Sequence, residues 1–168
     1  MNLPDGFAET IVRIAGTERV LAGEAQRARY SKDYAYFSPV LREQLKNEIA
    51  SLVVCPANRG QLREILRECV AHRVPVTPRG AGTGNYGQCV PMQGSIVVAL
   101  GDIDRLVAIE DGAARCEPGL RMGRLEDAAR AEGWEMRFYP STFVTATVGG
   151  FLGGGSGGVG SIEWGSLW

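Results

Sequence analysis

The segment "PVTPRGAGTGNYGQCVP" (residues 75–91) joins a predicted strand to a glycine-rich loop. The segment "VPVTP" (74–78) predicts one short strand, and "SLVVCP" (51–56) predicts another that Pro56 ends, since proline has no N–H to donate. Residues 52–78 are therefore predicted to form a β-α-β unit that ends in the glycine loop. The helix between the strands is predicted from an apolar stripe at i, i+3, i+4, i+7 and i+8, formed by Leu62, Ile65, Leu66, Cys69 and Val70. Asn58 is predicted to cap its start, with Gln61 three residues later completing a capping box.

The remaining segments favour an α+β fold. Residues 1–50 are predicted to form an N-terminal helical arm, whose aromatic-rich part "YSKDYAYFSP" (30–39) lies on the core. Residues 51–168 are predicted to form the second domain. Further strands are predicted at "GSIVVAL" (94–100), "LVAIE" (106–110) and "AARCEPG" (113–119), and a helix at "LRMGRLEDAARAEGW" (120–134).

Composition excludes several classes of protein. The 168 residues are 45% hydrophobic, which is enough for an ordinary hydrophobic core. Their net charge of −1 gives no sign of a basic surface that would bind nucleic acid or an anionic membrane. No apolar run is long enough to span a membrane and no secretory signal is present, so a cytoplasmic protein is expected. The four cysteines are isolated and the chain has one histidine, so we expect reduced thiols and no metal site.

The first glycine cluster matches the dinucleotide fingerprint G-x-G-x-x-G over residues 82–87, and Asp104 follows at the distance expected of a ribose ligand. That fingerprint requires a helix directly after the glycines. Here "QCVPMQGSIVVAL" (88–100) follows, and its proline, glycine and β-branched residues leave no room for one. A Rossmann site is therefore disfavoured, and the absence of GxxxxGK[ST] excludes a P-loop.

The same loop still favours anion binding. Without a Cβ, successive backbone N–H groups can line one concavity and approach a diphosphate closely. Arg79 either adds positive charge to this loop or braces it, and the sequence leaves both roles open.

A second cluster, "TVGGFLGGGSGGVGSIEWG" (residues 147–165), places eight glycines within residues 149–160. A flexible linker would contain few large apolar residues. This segment is therefore interpreted as a chain threaded through a tight place, because it is interrupted by Phe151, Leu152, Val159, Ile162 and Trp164.

Three segments in this order, "PVTPRGAGTGNYGQCVP", "CEPGLRMGRLEDAARAEGW" and "YPSTFVTATVGGFLGGGSGGVGSIEWG", resemble the PCMH-type FAD-binding domain of the vanillyl-alcohol oxidase/para-cresol methylhydroxylase flavoprotein family. The resemblance is greatest to its glycolate oxidase and D-lactate dehydrogenase branch and covers about residues 30–168. It implies an α+β domain of two small subdomains, with FAD extended between them and its diphosphate held by backbone amides.

The resemblance also implies the cofactor-binding residues. Members that tether the flavin from the first loop use a histidine where this chain has Thr83, so non-covalent FAD is expected. Phe151 and Gly155 stand where many relatives have asparagines, which removes side-chain hydrogen bonds. No catalytic or metal-binding residue is assigned. The positions that match the family's cofactor contacts are Arg79, Gly80, Ala81, Gly82, Thr83, Gly84, Gly87, Pro118, Gly119, Pro140, Ser141, Thr142, Thr145, Ala146, Thr147, Gly149, Gly150, Gly157 and Gly158.

An intact member of this branch would oxidise a small 2-hydroxy acid such as glycolate or D-lactate by passing a hydride to the flavin. In the family the FAD domain continues further and a substrate domain follows, so this chain is expected to be truncated and inactive alone. The alternative is a free-standing FAD- or nucleotide-binding subunit that completes its site with another chain, using "SIEWGSLW" (161–168) as the partner surface. A nicotinamide enzyme is a weaker third hypothesis. The substrate, the electron acceptor and the choice between a homo-oligomer and a partner chain stay open.

Overall fold

The computed structural model describes residues 3–165. Short 3-10 turns at Thr17–Arg19 and Met92–Gly94 accompany the main elements. In chain order these elements are α1 (Phe7–Ala15), β1 (Val20–Leu21), α2 (Glu24–Tyr30), α3 (Pro39–Leu45), β2 (Val53–Val54), α4 (Arg59–Ala71), β3 (Val76–Arg79), β4 (Ile96–Ala99), β5 (Leu106–Glu110), β6 (Ala113–Cys116), α5 (Met122–Ala131), α6 (Val148–Gly154) and α7 (Ser161–Trp164).

The first sheet has the strand order β1-β2-β4-β3. Strands β2 and β3 are both parallel to β4, and β1 pairs antiparallel with β2. The predicted β-α-β unit therefore exists, but β4 lies between its two strands. All four residues of β4 are buried, and a strand that is apolar on both faces is best accommodated at the centre of a sheet.

Both faces of this sheet are covered. On one face Phe7 and Ile11 of α1 and Ile65 of α4 pack with Val54 and Ile96, all of them almost fully buried. On the other face Val53 and Val97 pack with Ala50 and partly with Tyr30. The first 50 residues thus contribute a strand and core side chains as well as helices, and the division of the chain at residue 50 stays a prediction.

Helix α4 begins where the sequence predicts, since the Asn58 side chain accepts a hydrogen bond from Gln61 N at 3.0 Å. Ile65 and Cys69 are buried, as predicted. The predicted stripe is too wide, however, because Leu66 is 38% exposed and Val70 is 79% exposed. A helix that lies on a sheet buries the side facing the strands, and these two residues lie on a flank that no described element covers.

The second part of the chain has a core of its own, which confirms the two small α+β subdomains. Strands β5 and β6 form an antiparallel hairpin. Met122 of α5, Ala146 and Phe151 of α6 form the buried centre of this second core. No helix within residues 3–165 has both the length and the apolar character that a membrane crossing requires.

One buried carboxylate holds α5 to the segment that follows it. Glu126 is 6% exposed, and it accepts hydrogen bonds from Met136 N at 2.9 Å and from Arg130 Nε at 2.5 Å. Glu126→Ala is expected to lower the free energy of unfolding by about 1–3 kcal/mol, because the half-buried Met136 N–H loses its acceptor. Urea unfolding measures this loss. Glu132→Ala, on the exposed end of the same helix, is the control, and an equal loss in both variants would contradict the assigned role of Glu126.

Candidate cofactor site between the glycine loops

A cavity of about 520 Å³ lies between the two glycine-rich segments. This volume is in the range of sites for small molecules and cofactors. The first loop forms one wall and residues 140–158 form much of the other. The predicted site residues that line this cavity are Arg79, Gly80, Ala81, Gly82, Thr83, Gly84, Pro118, Pro140, Ser141, Thr142, Ala146, Thr147, Gly149, Gly150, Gly157 and Gly158.

Three predicted site residues lie outside the lining. Gly87 packs against Phe37, since a Cβ at this position would stand 3.0 Å from Phe37 Cζ. Gly119 is buried and donates from its N–H to Ile103 O at 2.7 Å. Thr145 is exposed, and its hydroxyl donates to Thr142 O at 3.2 Å. Their assignment as cofactor contacts stays a prediction.

The first wall offers a run of unpaired backbone donors. Within the described residues, the N–H groups of residues 80–85 donate to no acceptor, whereas Tyr86 N donates to Gln88 Oε1 at 3.3 Å. A buried or half-buried N–H without a partner carries a cost unless water or a ligand accepts its hydrogen bond. Successive unpaired N–H groups are the arrangement that binds phosphate oxygens.

The second wall adds donors of the same kind. Among the residues that the structure describes, Ser141, Thr142, Thr147, Ser156 and Gly157 have backbone N–H groups without an acceptor. These residues also line the cavity. The two walls can therefore present donors to one anion from both sides.

The walls approach each other most closely at Gly80. A Cβ on Gly80 would overlap the hydroxyl oxygen of Thr147 and would lie 3.4 Å from Gly150 Cα. The same hydroxyl accepts a hydrogen bond from Gly150 N at 3.2 Å and so caps the start of α6. Glycine at position 80 is thus required by the distance between the walls, and Thr147 fixes that distance.

Arg79 braces the first loop. It is the one charged residue among the described residues lining the cavity, yet its guanidinium donates to Lys32 O at 2.6 Å and Tyr30 O at 3.2 Å. It also lies 5.4 Å from the centre of the Tyr30 ring. Of the two roles that the sequence left open, the geometry favours bracing.

The aromatic segment 30–39, which was predicted to lie on the core, packs against the first glycine loop. Tyr34 N donates to Gly84 O at 3.0 Å, and Phe37 packs on Gly87. Asp33 accepts a hydrogen bond from Ala35 N with one carboxylate oxygen, while its other oxygen is buried and has no hydrogen-bond partner among residues 3–165. The segment therefore shapes the first wall from behind.

The bracing role of Arg79 leads to a prediction. Arg79→Met keeps a long side chain but removes its donors, so the free energy of unfolding is expected to fall by about 1–3 kcal/mol. FAD affinity is expected to fall by less than tenfold, and this loss is expected to shrink as salt is added, because Arg79 donates to protein carbonyls and would act on the diphosphate through its charge alone. Denaturant unfolding and flavin titrations at two salt concentrations measure both. Unchanged stability with a tenfold loss of affinity would show instead that Arg79 binds the anion.

Sequence reasoning missed part of the lining. Leu100 directly follows β4, and the ends of parallel strands meet at one edge of a sheet, so its place beside the first loop could have been predicted. Cys89 carried no such signal; burial raises the pKa of its thiol, and the neighbouring Arg79 opposes that rise. The lining residues outside the prediction are Pro78, Asn85, Tyr86, Gln88, Cys89, Leu100, Phe151, Gly153, Gly154, Ser156 and Val159.

The dinucleotide fingerprint does not lead into a helix. After Gly87 the chain passes through the 3-10 turn Met92–Gly94 into β4, as predicted. Asp104 stands where a dinucleotide fold would have its ribose ligand, but its Oδ2 forms an ion pair with Arg124 Nη1 at 2.6 Å. The unpaired donors therefore belong to a two-walled site and not to the N-terminus of a Rossmann helix.

The sequence matches the family model of the FAD binding domain over residues 50–167. The chain belongs to this FAD binding domain family. FAD is thus the cofactor of the family to which this chain belongs, as the three sequence motifs predicted. The match includes both glycine segments and the turn at Pro118, so the two walls of the cavity lie within the family's own domain.

The names of the curated relatives are those of an oxidase subunit and a dehydrogenase. Glycolate oxidase subunit GlcD of Bacillus subtilis is 27% identical over 159 residues, which cover 94% of this chain and 32% of that protein. D-lactate dehydrogenase of Archaeoglobus fulgidus is 33% identical over 117 residues, which cover 69% of this chain and 26% of that protein. The chain therefore spans a third or less of the length of these relatives.

Solved structures confirm the fold. Alkyldihydroxyacetonephosphate synthase superposes with a TM-score of 0.82 at 16% identity, covering 99% of this chain and 35% of that one. Substrate-bound p-cresol methylhydroxylase superposes with a TM-score of 0.70 at 19% identity, covering 86% of this chain and 28% of that one. The predicted PCMH-type α+β fold is confirmed.

The cavity fits an FAD diphosphate by its donor set. Its lining contains paired rows of unbonded N–H groups, and within the described residues it contains no carboxylate that would repel an anion. At Gly80 the two walls touch and leave no room for a side chain, so a diphosphate would lie beside this contact, along the unbonded N–H groups. Such a cradle suits an elongated, negatively charged cofactor.

Proposed function

We propose that this chain holds FAD without a covalent bond in the cavity between the glycine loops, as the FAD-binding part of an oxidoreductase for small 2-hydroxy acids. The observation that supports this most is the row of unpaired N–H groups at residues 80–85, opposite further unpaired donors on the second wall. Backbone donors hold a diphosphate without any reorganisation of side chains. Ser141, Thr142 and Thr147 would donate to phosphate oxygens from the second wall.

The bond to FAD is proposed to be non-covalent because of the first loop's chemistry. Thr83 lines the cavity at the position where tethering relatives carry histidine, and a threonine hydroxyl is a poor nucleophile towards the flavin ring. Acid precipitation of the loaded protein separates the two cases. All flavin is expected in the supernatant, and yellow colour in the washed pellet would contradict the proposal.

Bound FAD supplies hydride acceptance from the α-carbon of the substrate. The names of the two relatives support glycolate or D-lactate as the substrate class. The described cavity lining offers no histidine, carboxylate or lysine to take the hydroxyl proton. The proton acceptor and the groups that bind the substrate carboxylate are therefore proposed to lie outside this chain, which would be inactive by itself.

A second candidate function is a FAD-binding subunit that completes its site with another chain. Exposed apolar residues beside the second wall favour it, since Ile162 is fully exposed and Trp164 is 48% exposed on α7. Trp164 is held by Arg137, whose guanidinium lies 4.6 Å from the ring centre. The rest of the predicted partner surface, residues 166–168, lies outside the described residues.

Turnover of the purified chain, loaded with FAD, tests the proposal. With glycolate, D-lactate or D-2-hydroxyglutarate and a dye as electron acceptor, we expect one bound FAD per chain and no dye reduction. Steady dye reduction would contradict inactivity alone while leaving FAD binding intact. Failure to bind FAD would contradict the proposed function as a whole.

A further inference from the structure

Helix α4 carries an exposed flank that the cofactor site does not use. Its apolar row consists of Leu62, Leu66 and Val70, which are half-buried or exposed and spaced by four residues. Its basic row consists of Arg59, Arg63 and Arg67, all exposed and spaced in the same way. Both rows line one shallow groove of about 580 Å³ together with Ala71.

The three arginines have no protein partner within residues 3–165. None of them forms an ion pair or a side-chain hydrogen bond there. The acidic residues of α4 lie on another flank, where Glu68 faces His72 at 3.7 Å. Helix α1 packs on α4, and the Gln61 side chain reaches Ala15 O from that side. The charges of α4 are therefore sorted, with the basic and apolar rows together.

We propose that this flank of α4 binds an amphipathic helix of a partner protein that carries an acidic row beside an apolar row. Residues spaced by four lie about 6 Å apart along the helix axis and form a ridge. Such ridges pack into the grooves of a second helix with matching rows. The basic row would pair with carboxylates, and the apolar row would bury Leu66 and Val70. The surface lies on α4 and not on the cofactor cavity, so it does not depend on the proposed function.

The other occupants fit less well. A second copy related by a two-fold axis perpendicular to α4 would bring the same arginine row of each copy together, and like charges repel. A two-fold axis parallel to α4 would pair the apolar rows but would leave both arginine rows without carboxylate partners. A bilayer surface would favour aromatic and long apolar side chains at its interface, and this flank has none of the former. A helix with acidic and apolar ridges satisfies both rows at once.

The test uses a fluorescein-labelled, lactam-stapled peptide of about 15 residues, long enough for a helix once stapled, with glutamates at i, i+4 and i+8 and leucines three residues after each. Binding to the full chain is followed by fluorescence anisotropy. Arg63→Glu/Arg67→Glu is expected to weaken binding at least tenfold, and Val70→Ser at least threefold. Glu64→Lys, a charge reversal elsewhere on α4, is the matched control and is expected to change binding less than twofold. Circular dichroism verifies that each variant is folded.

A charge swap makes the test decisive. A peptide with lysines in place of the glutamates is expected to bind Arg63→Glu/Arg67→Glu more tightly than the original chain. A peptide with glutamines in place of the glutamates is expected to bind more weakly, and equal binding would overturn the proposal. No binding of the glutamate peptide up to about 1 mM, a concentration that detects a binding free energy of about 4 kcal/mol, would also overturn it. Arginine-dependent binding to vesicles of 70% phosphatidylcholine and 30% phosphatidylserine, without peptide binding, would overturn it in favour of a lipid surface. If the chain dimerises, and if Arg63→Glu/Arg67→Glu changes that dimerisation, the proposal would be overturned in favour of a second copy.

Discussion

Gly119→Ala is expected to lower the free energy of unfolding by about 3 kcal/mol or more, at the upper end of the cost of overpacking. Gly119 is buried, and an alanine Cβ would overlap Leu100 O and would stand 2.7 Å from Ile103 O and 3.0 Å from Gly101 O. All three are backbone atoms, so no rotation of a side chain can relieve the contact.

The effect of Gly119→Ala should extend to the cofactor site. Pro118 O accepts from Gly149 N at 2.9 Å, so the same turn joins the end of β4 to the start of α6. Thermal unfolding is expected to occur about 6–12 °C lower, given the usual scaling for a chain of this size. Gly101→Ala is the matched control, because a Cβ there meets nothing within 4 Å. Similar melting temperatures for both variants would contradict this account of the turn.

Ser141→Asp is expected to weaken FAD binding by about 10- to 100-fold, or about 1.4–2.7 kcal/mol. Ser141 lines the second wall, its side chain is exposed, and its N–H has no acceptor in the described part of the chain. A carboxylate at this position would repel the diphosphate that the two walls are proposed to hold. Equilibrium titration with FAD measures the change.

Ser141→Asn separates charge from size, since asparagine and aspartate are nearly equal in shape. The affinity gap between the two variants is expected to narrow as salt is added, because added ions screen a partly exposed charge. Equal affinities for Asp and Asn variants would contradict a diphosphate beside Ser141. A gap that salt does not change would point to a local distortion of the wall.

Much of the fold follows from local patterns. The cap at Asn58, the buried positions Ile65 and Cys69 and a strand before Pro56 are all local features that the structure confirms, although that strand is only Val53–Val54. The insertion of β4 between β2 and β3 is not local, since strand order depends on which strand has two apolar faces to cover. Exposure of Leu66 and Val70 was missed for the same reason, because periodicity identifies a face but not its neighbours.

The sequence predicted that the two glycine segments lie together, but it did not predict why glycine is needed at several of their positions. The two walls converge as the motifs indicated, but several glycines serve the approach of one backbone to another. Gly80 stands against Thr147, and Gly158 stands against Tyr139 O. The helical form of residues 148–154 was also not predicted, because a helix of four glycines contradicts propensity. Its Thr147 cap and the buried Phe151 stabilise it through contacts that no local pattern shows.

Titration of the flavin-free 168-residue chain with FAD and with riboflavin, followed by flavin fluorescence, compares a flavin that carries a diphosphate with one that does not. Riboflavin has the ring system but no diphosphate. If the backbone donors of the two walls hold the diphosphate, FAD should saturate at one per chain and riboflavin should bind at least about 100-fold more weakly, a difference of about 2.7 kcal/mol. Equal affinity for the two flavins, or no binding of FAD, would contradict the account.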